Sequence, residues 1–288
     1  MKETVLITGA NSFIAQHLIP LLQDNYILKF LTRTPKSLNE YSWDTQTKLI
    51  NEEALDEVDY IIHLAGAKLN DGTPLTEQRK QLIYESRIGA ADLLREKLIE
   101  RKQRIKGFIS ASAIGYYGFQ DDTLTIDETG KKGIGFAADL SDDWEKAADR
   151  FKADGVADTV AKIRVSLVLG NDGGVFPIYK SQLLQNPNII EQPNLHAVPW
   201  NHVEDMAGIF AFALENKLDG VYNSVAPNPA SQQTIFQVMA NELIGDQKYQ
   251  ILPFKGQHLV SNKIISAGYQ FKYPSIEMAI HQLISKSK

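Results

Sequence analysis

An apolar run, Val5-Leu6-Ile7, leads straight into Thr8-Gly9-Ala10-Asn11-Ser12-Phe13-Ile14-Ala15: a strand, a glycine turn and the start of a helix. No other stretch constrains the fold as strongly. A helix that begins at the end of a strand leaves its first N–H groups without intrahelical partners, at the positive end of the helix dipole. A phosphate placed there is stabilised by both effects, which is how a dinucleotide fold receives a pyrophosphate. Of the glycines in a G-x-x-G-x-x-G spacing only Gly9 is present, with Ser12 and Ala15 in the second and third places. Ala15 still permits close helix–strand packing, and the Ser12 hydroxyl is able to donate to a phosphate. With one glycine, an ordinary strand–helix turn is the alternative reading.

The pattern that follows fits a dinucleotide fold. Strand-like runs at 4–8, 27–32, 60–64, 107–110 and 159–164 alternate with helical patterns. The longest lies between Leu75 and Gln103, and another, from Asp142 to Lys152, carries Trp144, Ala147, Ala148 and Phe151 at helical spacing. This rhythm predicts an α/β fold, a Rossmann-type doubly wound parallel sheet with a smaller C-terminal α/β substrate lobe. Pro20 falls inside the first helix and is expected to kink or shorten it. After Gly170 the texture turns to Asn-Asp-Gly-Gly and Asn-Pro-Asn turns. The expected division is 1–170 plus 200–220 for the nucleotide-binding domain and 171–199 plus 221–288 for the substrate lobe. Helices are expected over 205–215 and 231–243.

At 288 residues with a net charge of −5, the chain shows no basic stripe of the kind that binds nucleic acid. It has no cysteine, which removes disulfides, thiolate catalysis and cysteine metal sites together. Its six histidines show no paired helical spacing with a nearby Glu, so no metal site is expected. No leader-like segment opens the chain, and no apolar run approaches the ~18 residues of a membrane span. The expectation is a soluble, cytoplasmic protein with a small-molecule substrate and neither nucleic acid nor membrane as partner.

Several strings in order resemble the extended short-chain dehydrogenase/reductase superfamily: ITGANSFIA at 7–15, LTRTP at 31–35, HLAGA at 63–67 and SASAIGYYG at 110–118. DDWEKAA at 142–148, RVSLVLGNDGG at 164–174, WNHVEDMAGI at 200–209 and VYNSVAPNP at 221–229 continue the match. Within that superfamily the chain resembles the small, atypical epimerase-like family related to bacterial YfcH. The resemblance implies a nicotinamide cofactor held by Gly9, Asn11, Ser12, Phe13 and Ile14 at the turn, by Leu64, Ala65 and Gly66 after a later strand, and by Ser110. It also allows a helix-mediated homodimer, although no stripe in the chain demands one.

The end of the second strand bears on cofactor choice. An NAD site places Asp or Glu there for the ribose 2′-hydroxyl. Here the chain reads Leu31-Thr32-Arg33-Thr34. A guanidinium in place of a carboxylate favours a 2′-phosphate, with Lys36 adding a second charge, so NADP(H) is the expected cofactor. The alternative for Arg33 is a solvated loop residue.

The chemistry departs from the superfamily pattern. Its reductases and epimerases use a Tyr-x-x-x-Lys pair, which occurs nowhere in this chain. The resemblance puts Ala137 and Ser141 at those places, and Arg87 where the superfamily has an asparagine. It makes Ser112 the expected active-site serine, with Ala113 as the alternative, and puts Tyr116 or Tyr117 on the loop facing the nicotinamide. A substitute mechanism follows, with Tyr116 as proton donor and Ser112 polarising a carbonyl. Tyr117, Arg164, Trp200, His202 and Asn223 are expected in a substrate cleft between the lobes. Arg79, Lys80 and Arg87 read mainly as a solvated helix face, Asp205 as a helix cap or ligand contact, and His63 as a packed histidine without chemistry. The functional expectation is an NADP(H)-dependent oxidoreductase or epimerase for a small or nucleotide-linked carbonyl or hydroxyl compound. The competing class is a non-catalytic NADP(H)-binding sensor or regulatory protein.

Overall fold

Apolar runs too short for helices become strands, and the central ones are buried on both faces. In a computed structural model describing residues 2–69, 72–119, 124–191, 194–245 and 254–285, these strands assemble into one large sheet. It contains β1 (Thr4–Thr8), β2 (Ile27–Thr32), β3 (Glu40–Asp44), β4 (Leu49–Ile50), β5 (Tyr60–His63) and β6 (Ile105–Ala113). β7 (Thr125–Ile126) lies outside it, and β8 (Ala157–Val165) belongs to it. So does β12 (Gly220–Ser224), which follows three short strands, β9 (Leu167–Leu169), β10 (Ala197–Val198) and β11 (Trp200–His202). The order across the sheet is β12-β8-β6-β5-β1-β2-β3-β4, with every neighbouring pair parallel except β3 and β4. Chain order therefore reverses beside β1, and a crevice opens there at the carboxyl ends of the strands.

Period-two alternation sorts β1 between two cores. Val5 and Ile7 face α1 (Phe13–Leu22) and α6 (Val203–Glu215), where Leu18, Leu22, Met206 and Phe210 are buried. Leu6 faces the opposite layer, where Leu94 and Leu98 of α3 (Ala90–Glu100) pack with Ala148 and Phe151 of α4 (Phe136–Ala153). Pro20 does not end α1, which runs to Leu22. It sits in the last turn on the exposed side, where the lost N–H removes a single bond.

The long helical pattern at 75–103 is three elements. α2 (Glu77–Tyr84) and α3 are joined by a π-helical turn, Glu85–Gly89. α4 begins at Phe136, six residues before the expected start. Residues 221–224, placed above in the substrate lobe, lie within strand β12 of the large sheet.

A second core is built by α5 (Phe176–Gln185), α7 (Gln232–Ile244) and α9 (Ile276–Ser285), around Phe176, Trp200, Phe236, Met239 and Ile280. Short strand pairs frame it: β9 with β11, and β10 with β13 (Ala230–Ser231). β7 pairs with β14 (His258–Leu259), just before α8 (Asn262–Ser266), and so ties the first half of the chain to its end. No helix among the described residues is long and apolar enough to cross a membrane.

Candidate functional site

Gly9 turns the chain out of β1 at φ +69°, and a Cβ there would stand 2.8 Å from the Leu64 and Ala65 backbone. Only glycine fits a left-handed residue pressed this closely on another strand end. The Ser12 amide donates to the Gly9 carbonyl at 2.8 Å, and the Ser12 hydroxyl caps α1 by accepting from the Ala15 amide at 3.3 Å. The hydroxyl hydrogen is left over for another acceptor. Phe13 and Ile14, the first two residues of α1, carry amides that no helical carbonyl can reach. Ala15 is fully buried, which meets the close-packing requirement of the third position. Gly9, Ser12, Phe13 and Ile14 thus form one anion-receptive turn, with Asn11 exposed beside it.

Behind the turn runs a buried hydrogen-bond chain. Thr8 Oγ1 accepts from the Leu64 and Ala65 amides at 3.2 and 3.1 Å, so its own hydrogen goes to His63 Nδ1 at 2.9 Å. His63 Nε2 lies 3.0 Å from the Arg87 carbonyl, which can only accept. The network therefore assigns the hydrogen to Nε2 of a neutral ring. Burial, against the Arg87 carbonyl hydrogen bond and together with the Arg87 charge, pushes the imidazole down to about 4. His63 is a structural link from the β1 and β5 ends to the π turn.

On the other side of β1, strand β2 ends at Thr32, whose hydroxyl accepts from the Thr34 amide at 3.0 Å. Arg33 and Lys36 follow on an exposed loop. The Lys36 amide is tied to Glu40 at 2.7 Å, and Arg33 makes no ion pair among the described residues.

At the far end of the crevice, Ser112, Arg164 and Asn223 lie in register on β6, β8 and β12. Glu145 reaches down from α4 and takes Arg164 in a fork, Nε at 2.7 Å and Nη2 at 2.9 Å. Burial works against the Arg164 charge, but the Glu145 hydrogen bonds and charge outweigh it and hold the guanidinium above its ordinary value. Arg164 Nη1 donates to the Tyr117 hydroxyl at 2.7 Å, and that hydroxyl donates to Asn223 Oδ1 at 2.8 Å. Burial raises the Tyr117 phenol despite the nearby Arg164, so it stays protonated.

This network places the expected site residues. Ser112 is buried and gives its hydroxyl hydrogen to Glu145 at 2.7 Å, which leaves none for a carbonyl in this geometry. Tyr117, Arg164 and Asn223 are brought together, but all three are buried. Tyr116 is partly exposed above them, its ring centre 3.6 Å from the Arg164 guanidinium. Trp200 and His202 sit apart, on β11. Trp200 is fully buried in the second core. His202 caps α6, accepting from the Glu204 amide at 3.1 Å, with its ring 4.0 Å from that of Tyr273. Asp205, one helical turn on, binds the Tyr269 hydroxyl and the Lys272 and Tyr273 amides, so it fastens the chain's return. Ser110 is buried with its hydroxyl turned to the Ala111 carbonyl.

No proton donor stands at 137 or 141. Ser141 Oγ gives its hydrogen to the Ala137 carbonyl at 2.7 Å. Ala137 packs against the 114–117 turn so closely that a Cβ on Gly115 would come within 3.2 Å of its own. Glu145 was not singled out in the sequence. Its only signal is a carboxylate on the apolar face of α4, which needs a buried cation opposite.

A family model described as the NAD dependent epimerase/dehydratase family matches residues 5–133. Among curated relatives, the epimerase family protein YfhF of Bacillus subtilis is 28% identical over 99% of both chains. The chloroplastic SDR39U1 homolog of Arabidopsis thaliana is 26% identical over 98% of this chain and 87% of its own. Among solved structures, human epimerase family protein SDR39U1 with NADPH superposes with a TM-score of 0.80 at 25% identity, covering 98% of this chain and 99% of that one. A nucleoside-diphosphate sugar epimerase from Corynebacterium glutamicum also gives 0.80, at 26% identity, over 99% of this chain but only 59% of that one. With its Rossmann-like sheet, its glycine turn and these likenesses along its length, the chain is similar to epimerase/dehydratase-family proteins, extended short-chain dehydrogenase/reductase-like proteins of the SDR39U1 type among them.

Proposed function

We propose that this protein is an NADP(H)-dependent oxidoreductase or epimerase acting on the carbonyl or hydroxyl group of a small or nucleotide-linked compound. The observation that carries the reading is the pairing of an open α1 N-terminus with a β2 end that offers Arg33 and Lys36 and no carboxylate. The Phe13 and Ile14 amides and the Ser12 hydroxyl receive the diphosphate. Arg33 forks onto the 2′-phosphate, Lys36 adds charge, and the Leu64–Gly66 backbone lines the path between. The human SDR39U1 structure with NADPH supports this reading. When bound, the nicotinamide supplies or accepts hydride.

Calorimetric titration tests it. Arg33→Ala is expected to weaken NADPH binding by about 1.5–3 kcal/mol, the worth of a charge-assisted hydrogen bond, and to leave NADH binding unchanged. Equal affinity of wild type and variant for NADPH sinks the assignment.

Proton transfer falls to Tyr116. It stands just past the carboxyl end of β6 with the Arg164 guanidinium against its ring face. Tyr116→Phe is expected to slow turnover by roughly 100-fold with the carbonyl compound that oxidises NADPH fastest in a substrate screen. A loss below about tenfold removes Tyr116 from the mechanism.

A second reading, a non-catalytic NADP(H)-binding sensor or regulatory protein, draws on the two serines. Ser112 and Ser141 both spend their hydroxyl hydrogens inside the protein. Tight NADPH binding with no oxidation across a broad carbonyl panel favours it over the enzyme.

A further inference from the structure

Arg87 is charged, buried and unused by the reading above. It lies within the π turn Glu85–Gly89. Such a turn shifts the phase of a helix by one residue, and here Arg87 faces inward at 6% exposure. Its Nη2 donates to the Ala67 carbonyl at 2.9 Å, and its Nη1 to the Ile83 carbonyl at 3.3 Å and Ser86 Oγ at 3.4 Å. Every one of these acceptors is neutral, and no carboxylate pairs with it among the described residues. Its Nε is buried without a hydrogen-bond partner, as is Nε1 of Trp144, whose ring centre lies 5.0 Å from the guanidinium. Burial, with the charge of Arg79 second, pushes the guanidinium down to about 10, which leaves it charged at neutral pH. A buried cation with an idle N–H and no counter-charge is costly to hold, and the idle donor calls for an acceptor.

Two placements identify the ligand group. The guanidinium rests on Gly66, where a Cβ would come within 2.8 Å of its Cζ, so it lies in the same loop that backs the Gly9 turn. In the sheet, β5 flanks β1 on the side opposite β2. A dinucleotide with its diphosphate at the β1 turn and its adenosine at β2 must extend its other half across the end of β5. The second placement is on α4. Ala137, Ser141 and Trp144 are spaced to share one helix face, and Arg87 meets that face at Trp144, one turn beyond Ser141, the place of the lysine in the superfamily's Tyr-x-x-x-Lys pattern.

We propose that Arg87 binds the nicotinamide half of the dinucleotide, its Nε–H donating to an oxygen of the ribose–phosphate on that side, and so supplies from the π turn the fixed cation that α4 lacks. The proposal rests on the NADP(H) reading. A lysine on α4 approaches that ribose from the α4 layer. A guanidinium held by three neutral acceptors approaches it from the β5 loop, already oriented and with Nε facing the one acceptor still to be provided.

The test compares three proteins, wild type, Arg87→Met and Arg87→Lys, titrated calorimetrically with NADPH and with 2′,5′-ADP, which carries only the adenosine half. Wild type and both variants are expected to bind 2′,5′-ADP alike, within about twofold. NADPH is expected to bind Arg87→Met at least about tenfold more weakly, and Arg87→Lys is expected to recover only part of the loss, since lysine has no donor at the Nε position. NADPH affinity of Arg87→Met within about threefold of wild type, with 2′,5′-ADP still binding, overturns the proposal. Failure of wild type to bind 2′,5′-ADP is a different result and overturns the NADP(H) reading itself. Should Arg87→Met lose its cooperative thermal transition, Arg87→Gln keeps an N–H for the Ala67 carbonyl and carries the same comparison with the same thresholds. A purely structural role for Arg87 lowers both affinities together, and that result also overturns the proposal.

Discussion

Truncating Glu145 to alanine is expected to destabilise the fold by about 3–5 kcal/mol, the usual cost of leaving a buried charge without its partner. The side chains of Arg164 and Glu145 are only 3% and 8% exposed, so water cannot replace the lost carboxylate. The same change removes the acceptor of the Ser112 hydroxyl and loosens the guanidinium that supports the ring of Tyr116. Chemical denaturation reads the effect as a lower midpoint with little change in slope. The double variant Glu145→Leu, Arg164→Met removes both charges and is expected to recover more than half of the loss, because the desolvation cost disappears with the pair. A Glu145→Ala protein within about 1 kcal/mol of wild type shows that the fork contributes no more than a surface pair.

That fork also shows where sequence reading reached and where it stopped. β1 and β2 were legible to the residue, because each is a short, largely apolar run bounded by turn residues, and β1 is buried on both faces of the sheet. The glycine turn was legible for the same local reason, since Gly9 and the start of α1 lie within a few residues of each other; the Ser12 cap was not foreseen. The partnership of Glu145 with Arg164 was not, since it joins a helix to a strand and is decided by packing. Strings such as RVSLVLG and WNHVEDMAG mark positions that matter without saying how. Arg164 anchors a buried network, His202 caps a helix and Trp200 fills a core, and none of these roles is distinguishable from substrate contact in one sequence. The π turn escaped for a different reason. One extra residue turns the helix face by about 100°, but nothing in a single sequence marks where that step falls, so the run at 75–103 read as continuous and Arg87 fell on its wet side.

The Thr8–His63–Arg87 chain carries a consequence for pH. His63 is neutral in the folded protein down to about pH 4, whereas in the unfolded chain an ordinary histidine takes up a proton near 6.5. As the pH falls below 6.5, the unfolded state binds a proton that the folded state refuses, so stability falls with acidification. The slope from this one group approaches about 1.4 kcal/mol per pH unit, and the window of about 2.5 units gives a loss of about 3 kcal/mol by pH 4. Above 6.5 both states carry a neutral ring and the contribution is constant. Denaturation of wild type and His63→Gln at pH 7.0, 5.5 and 4.5 isolates the effect, because the other titrating groups cancel in the difference. The variant is expected to be less stable at pH 7, where it loses the relay, and to narrow the gap steadily towards pH 4.5. Proton NMR checks the folded state directly: a His63 imidazole resonance that titrates near pH 6.5 contradicts the network's tautomer and its burial alike. Because His63 joins the β5 end to the carbonyl of Arg87, charging it also pulls on the π turn beside the dinucleotide crevice. The folded ring stays neutral through the window in which the fold weakens, so NADPH affinity of the folded protein is expected to hold from pH 6.5 downwards and to weaken through His63 only near pH 4, a loss that His63→Gln does not show.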